Sequence, residues 1–166
     1  MKLAILLLCL WAVPRSVFAL GQQRYVESVV RPGSFPIAQG KTCAAIYVDS
    51  SDYPGVIRAA GDLRADIERV TGCTPVIAHD SAALPAHTIV VGSIGKSPLV
   101  TRLTDTAAIA GKWESFQTQV VGQQLIIAGS DKRGTIYGIY DLSEQIGVSP
   151  WYWWADVPIA RKECCS

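Results

Sequence analysis

The stretch QLIIAGSDKRGTIYGIYDLSEQIG, residues 124–147, decides how this chain folds. It opens with QLIIAG, a short apolar run that is typical of a buried strand. Ser130 or Asp131 then supplies the kind of side chain that caps a helix N-terminus. Apolar residues follow at spacings of three and four, on one face of a helix that ends at Gly147: Ile136, Ile139, Leu142 and Ile146. The stretch therefore predicts a buried strand followed by an amphipathic helix.

Further strands are predicted on the N-terminal side of this stretch. The runs TCAAIYVDS (42–50), TPVIA (74–78) and HTIVVGS (87–93) are short and rich in β-branched residues. FQTQV (116–120) alternates polar and apolar residues and is joined to QLIIAG by a tight turn at Gly122. These two runs predict a hairpin.

Residues 51–72 predict a second long helix, with start signals at Asp52 and Pro54 and a stop at Gly72. Its charged residues fall mostly on one side, which indicates a solvated face. Its apolar residues again recur at spacings of three and four: Val56, Ala60, Leu63, Ile67 and Val70.

The order strand, helix, two strands, hairpin, helix predicts an α/β (α+β sandwich) domain, a mixed β-sheet flanked by two main helices. Gly134 and Gly138 lie four residues apart in the second helix. Because glycine has no side chain, this spacing would let that helix approach the sheet closely.

The first 19 residues predict a secretory signal peptide, with Lys2, an apolar run from Leu3 to Val13, and small residues before a cleavage site after Ala19. The run is too short for a membrane span. We therefore expect a secreted, extracellular protein, with residues 20–40 as a lead-in and no membrane partner. Removing Lys2 and Arg15 changes the formal net charge from +1 to −1. This charge offers no electrostatic basis for binding nucleic acid.

Four cysteines follow the predicted leader. In an oxidising compartment Cys43 and Cys73 form either a disulfide or a pair of buried thiols, and the simpler expectation is two buried thiols. Cys164 and Cys165 are adjacent, without the two-residue gap that lets a thiolate pair grip one metal ion. A ragged tail is the expectation for them.

Residues 88–97, TIVVGSIGKS, end like a phosphate-binding loop, but the glycine required five positions before Gly95 is Val90. Pro98 after Ser97 favours a plain loop. The eight-residue spacing of His79 and His87 matches no compact zinc pattern, so surface histidines are expected. No serine nucleophile elbow is present, and the carboxylates have capping or surface roles. We therefore expect no catalytic residue, no cofactor and no metal site in this chain.

The segment GSDKRGTIYGIYDLSEQIGVSPWYWWADVP, residues 129–158, resembles the N-terminal domain of glycoside hydrolase family 115, the xylan α-1,2-glucuronidases. VDSSDYPGVIRAAGDLRADIERVTG (48–72) and IVVGSIGKSPLV (89–100) are similar to the same domain in the same order. The resemblance implies a small α/β domain, residues 41–158, that precedes a (β/α)8 barrel. That barrel would carry the catalytic carboxylates that release 4-O-methylglucuronic acid from glucuronoxylan.

The chain departs from this family pattern after Pro158, because 166 residues cannot also hold a barrel of about 250 residues. The divergent tail, residues 159–166, suggests a truncated product or gene model, and the missing barrel is the expected partner. The aromatic run is then the candidate domain seam, and its exposure would favour self-association. Its members are Trp151, Tyr152, Trp153 and Trp154.

Arg133 is the other candidate binding residue. In its strand-to-helix turn it is expected to act structurally, on carbonyls or on an acidic neighbour at the domain seam. The alternative to a non-catalytic domain is a free-standing carbohydrate-binding module, whose Trp151, Trp153 and Trp154 stack on xylan or glucuronoxylan.

Overall fold

The computed structural model describes residues 24–82 and 84–166, with the backbone but not the side chain of Trp153. The predicted signal peptide, residues 1–19, lies outside the described residues. The described elements, in chain order, are β1 (Ala38–Gln39), β2 (Thr42–Cys43), β3 (Ala45–Val48), α1 (Pro54–Thr71), β4 (Ile77–Ala78), β5 (Thr88–Ser93), α2 (Pro98–Leu103), β6 (Phe116–Val121), β7 (Gln124–Gly129), α3 (Lys132–Ile146), α4 (Tyr152–Ala155) and β8 (Cys164–Cys165).

The larger sheet has the strand order β4-β3-β5-β7-β6, parallel except for the edge strand β6, which runs antiparallel to β7 as the predicted hairpin. Ile89 on β5 is paired with Ile46 on β3 and with Leu125 on β7. Every residue of β3 and β5 is buried, which is typical of parallel strands covered on both faces.

The two long helices cover one face of this sheet. All five predicted apolar residues of α1 are fully buried, and so are Ile139, Leu142 and Ile146 of α3. The short helix α2 covers the opposite face, where Leu99 and Val100 pack against Val90 and Ile126. The predicted mixed sheet flanked by two main helices is confirmed, with α2 as a third layer. None of the described helices is both long and apolar enough to cross a bilayer.

The close approach of α3 to the sheet depends on its two glycines. A Cβ atom on Gly134 would collide with the backbone carbonyl of Ser115, just before β6. On Gly138 it would lie 2.7 Å from Ile127 Cγ2 and 3.0 Å from the Phe116 ring. The predicted role of both glycines is confirmed.

The predicted ragged tail is wrong. Cys164 and Cys165 form β8, which pairs antiparallel with β1 in a second, three-stranded sheet of order β2-β1-β8. Cys165 is fully buried in the main core. Glu27 and Ser166 exchange two backbone hydrogen bonds of 2.8 and 3.0 Å. The last residues of the sequence therefore close the fold.

Cys43 and Cys73 are joined by a disulfide, with their Cα atoms 6.0 Å apart. The expectation of two buried thiols is therefore corrected. The bond closes a loop with a sequence separation of 30 residues. In the chain-entropy account, a loop of this size stabilises the fold by on the order of 3–4 kcal/mol. It ties the small sheet to the end of α1.

A pair of matched glycine substitutions tests the packing of α3. Gly134→Ala should lower the free energy of unfolding by about 1–3 kcal/mol, because the added methyl group meets backbone that has little freedom to move. Gly61→Ala, in the middle of α1 with open space at its Cβ position, should raise it by about 0.5–1 kcal/mol. Urea denaturation of both variants measures the difference. Equal effects would contradict the close approach.

Candidate functional site

The carboxyl edge of the larger sheet is where open α/β folds usually bind ligands. There the chain leaves β3 for α1 on one face and leaves β5 for α2 on the other, so a crevice is expected between the two strand ends. In this protein the crevice is filled by Asp52, whose carboxylate is buried. It accepts hydrogen bonds from the Ser93 amide at 2.8 Å and the Ser93 hydroxyl at 2.9 Å.

The sequence around Gly95 therefore makes a structural turn at this edge. The Ser97 side chain caps α2 by accepting a hydrogen bond from Val100 N at 3.4 Å, with Pro98 in the first turn. The expected plain loop after Ser97 is wrong, because serine followed by proline is itself a helix-start signal. The Lys96 ammonium lies 5.2 Å from the centre of the Tyr53 ring.

Both histidines are exposed, as expected, and each contacts a different part of the chain. His79 Nδ1 lies 2.9 Å from the Val48 carbonyl oxygen, at the end of β3. The His87 ring stands edge-on to Phe35 with centroids 6.0 Å apart. Within residues 24–82 and 84–166 no cluster of three or more His, Cys, Asp or Glu side chains could hold a metal ion.

Arg133 lies in the first turn of α3 and pairs with an acidic neighbour. Its Nη1 donates to Glu114 Oε1 at 2.6 Å, and this hydrogen bond raises the pKa of the guanidinium further. Asp131 caps the same helix by accepting from the Gly134 amide at 2.8 Å and also accepts from the Glu114 amide at 2.9 Å. The predicted acidic partner of Arg133 is present, and whether this end of the domain is a seam stays a prediction.

The aromatic run forms the short helix α4 and the residue before it. Trp151 is 66% exposed and Trp154 is 85% exposed. Tyr152 is half-buried against the main core, and the Arg69 guanidinium lies 5.5 Å from the centre of its ring. Among the described side chains of the run, one ring is therefore turned inward and two lie in solvent.

Arg133 and the aromatic run are not brought together. Arg133 lies at the start of α3 and Trp151 lies five residues beyond its end. At a rise of 1.5 Å per residue, the helix alone separates them by about 20 Å. A single small ligand is too short to contact both Arg133 and Trp151. A protein interface that extends along α3 is long enough to contact both residues.

An open groove of about 940 Å³ runs along α3 between these two points. The exposed residues Arg133, Tyr137, Tyr140 and Glu144 follow one another at spacings of four, three and four, on one face of the helix. The facing wall is α1. Residues of both helices and of the following loop line the groove: Arg58, Asp62, Asp66, Arg69, Tyr137, Tyr140, Asp141, Ser143, Glu144, Ser149 and Pro150, with others.

A buried carboxylate lies in this groove. Asp66 is 5% exposed, and its Oδ1 accepts from Arg69 Nη1 at 2.6 Å. Burial raises the pKa of the Asp66 carboxyl, and the neighbouring Ser143 hydroxyl and Arg69 guanidinium offset part of that rise. The Ser143 hydroxyl, itself buried, meets no partner at full hydrogen-bond geometry within the described residues.

Two tyrosine hydroxyls donate hydrogen bonds to carboxylates that line the groove. The Tyr140 hydroxyl donates to Asp62 Oδ2 at 2.8 Å, and the Tyr25 hydroxyl donates to Asp141 Oδ2 at 2.7 Å. Burial and the neighbouring carboxylate raise the pKa of Tyr140 to about 12 and raise that of Tyr25 as well. Both hydroxyls therefore stay protonated at neutral pH, and the Tyr140 ring stays in place.

Sequence analysis missed this groove. The charged residues of α1 indicated a solvated face, but Arg58, Asp62 and Arg69 instead line a concave surface. The available signal was the pair Tyr137 and Tyr140, which lie on the polar side of an amphipathic helix. Large aromatic residues on the polar side of a helix suggest a surface that binds a ligand or another protein.

The fold and the groove together define a small α/β domain. The solved structure of BtGH115A, a family GH115 4-O-methyl-α-glucuronidase with specificity for decorated arabinogalactans, superposes on it with a TM-score of 0.71 and 35% sequence identity. The match covers 79% of this chain and 17% of that one. The resemblance to family 115 is confirmed, and the chain is related to that family over a small part of the enzyme's length.

A second solved structure, a GH138 enzyme targeting pectin rhamnogalacturonan II, matches with a TM-score of 0.45 and 21% identity over 62% of this chain and 13% of that one. No protein-family model matches the chain. No curated protein matches it either.

The Asp66–Arg69 pair generates a pH-dependent prediction. Because the folded-state pKa of Asp66 is raised above its ordinary value of 3.8, the folded protein holds this proton more tightly than the unfolded chain. Ionisation of Asp66 therefore lowers the free energy of unfolding as the pH rises through the folded-state pKa of this carboxyl group. Asp66→Asn should therefore gain stability relative to the wild type as the pH rises above 3.8, measured by urea denaturation across pH.

Arg69→Ala is the matched variant with the opposite sign. It leaves the Asp66 carboxylate buried without its guanidinium partner, so we expect a loss of about 1–3 kcal/mol at pH 7. The loss should shrink at low pH, where the carboxyl group is protonated. A loss that does not change with pH would show that Arg69 stabilises the fold through packing alone.

Proposed function

We propose that this chain is the non-catalytic N-terminal domain of a secreted α-glucuronidase of the family 115 type. The observation that carries the proposal is the 35% identity and TM-score of 0.71 over 79% of the chain, against 17% of the matched enzyme. The chemistry would reside in the downstream barrel. The disulfide between Cys43 and Cys73 supports secretion, because such bonds persist in oxidising compartments.

The substrate of the whole enzyme is a polysaccharide decorated with 4-O-methylglucuronic acid. BtGH115A acts on decorated arabinogalactans, whereas the family resemblance in the sequence implies glucuronoxylan. The catalytic selection between the two polymers would take place in the barrel.

The exposed tryptophans are the proposed contact with the barrel. At roughly 25 cal/mol per Å², an exposed tryptophan leaves on the order of several kcal/mol of possible burial unused. Trp151 precedes α4 and Trp154 lies on it, and both side chains are exposed to solvent. Trp151 directly follows Pro150, which lines the groove. Aromatic residues that are buried at interfaces carry much of the binding energy, which supports this assignment.

The first test is activity. The purified chain without its predicted signal peptide should release no 4-O-methylglucuronic acid from glucuronoxylan or from decorated arabinogalactan, because general acid–base catalysis needs positioned carboxylates from the barrel. Sugar release is measured by chromatography. Activity that co-purifies with the protein through two different columns would overturn the non-catalytic assignment.

The second test is association. We expect the wild-type chain to self-associate through its exposed aromatic face, and the double variant Trp151→Ser, Trp154→Ser to sediment as a monomer with the same circular dichroism spectrum. Trp153 is left unchanged in this variant because its side chain lies outside the described residues. Trp113→Ser is the control, because Trp113 is 82% exposed elsewhere on the surface.

The carbohydrate-binding alternative makes the opposite prediction. A wild-type chain that sediments as a monomer and loses xylo-oligosaccharide binding in the double variant would replace the seam with a sugar-binding surface. Self-association without such binding supports the seam.

A further inference from the structure

The α1–α3 groove has a composition that selects for one kind of ligand. It is lined by four carboxylates, Asp62, Asp66, Asp141 and Glu144, and by two guanidinium groups, Arg58 and Arg69. The net negative charge disfavours an anionic ligand such as a uronate. A site for a simple cation would have no use for two guanidinium groups.

A neutral polyhydroxyl ligand suits this mixture. Each sugar hydroxyl both donates and accepts hydrogen bonds, so it pairs with carboxylates on one side and guanidinium groups on the other. The volume of about 940 Å³ lies within the range of small-molecule sites, with room for several sugar rings. The groove is open along its length, as a chain-like ligand requires.

Two further observations point to a ligand at this place. The Ser143 hydroxyl lines the groove and is 3% exposed; within the described residues it meets no partner at full hydrogen-bond geometry, although it lies close enough to Asp66 to lower the pKa of that carboxyl. Such a group normally has a partner, because burying it alone is costly. The Tyr140 ring is 46% exposed on the rim and is held by Asp62, which makes it a fixed apolar platform.

We propose that the groove between α1 and α3 binds a neutral, unsubstituted oligosaccharide segment, with Tyr140 stacking on a sugar ring and the carboxylates and guanidinium groups taking its hydroxyls. The lining of this site includes none of the tryptophans of α4, and all of its lining residues belong to this domain. In a polysaccharide-degrading enzyme it would hold backbone sugars that carry no uronate.

The test is an NMR titration of the full chain with three probes: an unsubstituted xylo-oligosaccharide, an unsubstituted galacto-oligosaccharide and glucuronic acid. At millimolar concentrations at least one neutral oligosaccharide should shift the amide signals of α1 and α3, and glucuronic acid should not. The two neutral probes separate a xylan backbone from a galactan backbone. No shift with either neutral probe, or shifts confined to α4, would overturn the proposal, as would equal binding of glucuronic acid.

Variants locate the ligand. Tyr140→Ala should raise the dissociation constant about tenfold, because the ring that stacks on the sugar is lost. Tyr140→Phe keeps the ring and should retain most of the affinity, so it remains informative if the alanine variant is unstable. Trp113→Ala removes an exposed aromatic residue outside the groove and should leave affinity unchanged. Equal weakening by Tyr140→Ala and Trp113→Ala would contradict a site in the groove.

Discussion

The buried carboxylate of Asp52 joins the three elements on which the rest of this fold depends. It accepts hydrogen bonds from the Tyr53 amide that opens α1 and from both the amide and the hydroxyl of Ser93 at the end of β5. The Ser93 hydroxyl lies 2.7 Å from the Thr135 hydroxyl in the first turn of α3. A carboxyl group out of water is stable only when hydrogen bonds surround it, so this arrangement fixes both long helices against one strand end. It also fills the crevice where related α/β folds usually take a ligand.

Closing the carboxyl edge leaves the outer surface of the helices as the place for binding. Gly134 and Gly138 bring α3 so close to the sheet that its opposite side stands clear, with Tyr137 and Tyr140 facing solvent beside α1. The result is a groove bounded by two rigid helices, which position side chains better than loops do. Along α3 the lining of the groove begins at Tyr137, one turn after Arg133, and it continues to Ser149 and Pro150, directly before the aromatic run.

The sequence predicts those parts of the fold whose signals are local. Both long helices, β5, β7 and the β6–β7 hairpin follow from periodicity and turn residues within one short stretch each. The small sheet does not, because β1 and β8 are two residues long and their pairing joins Ala38 to Cys165 across most of the chain. The disulfide depends on the same long-range geometry. Helix α2 has a local signal, Ser97 followed by Pro98, but sequence analysis predicts a plain loop there because it takes the proline as a loop residue. Arg133 was correctly given an acidic partner, whereas the groove needed two helices placed side by side.

Arg69 connects the groove to the aromatic segment. Its guanidinium is held by the buried carboxylate of Asp66 on α1 and lies over the ring of Tyr152 on α4. Because α4 has only four residues, it has little stability of its own, and its position depends on such contacts. A ligand that binds Arg69 or Asp66 in the groove would therefore change the contact between Arg69 and Tyr152, and with it the position of the neighbouring tryptophans. Coupling between binding sites is reciprocal. A domain docked on Trp151 and Trp154 would accordingly change the affinity of the groove for sugar by the same factor by which sugar changes the docking.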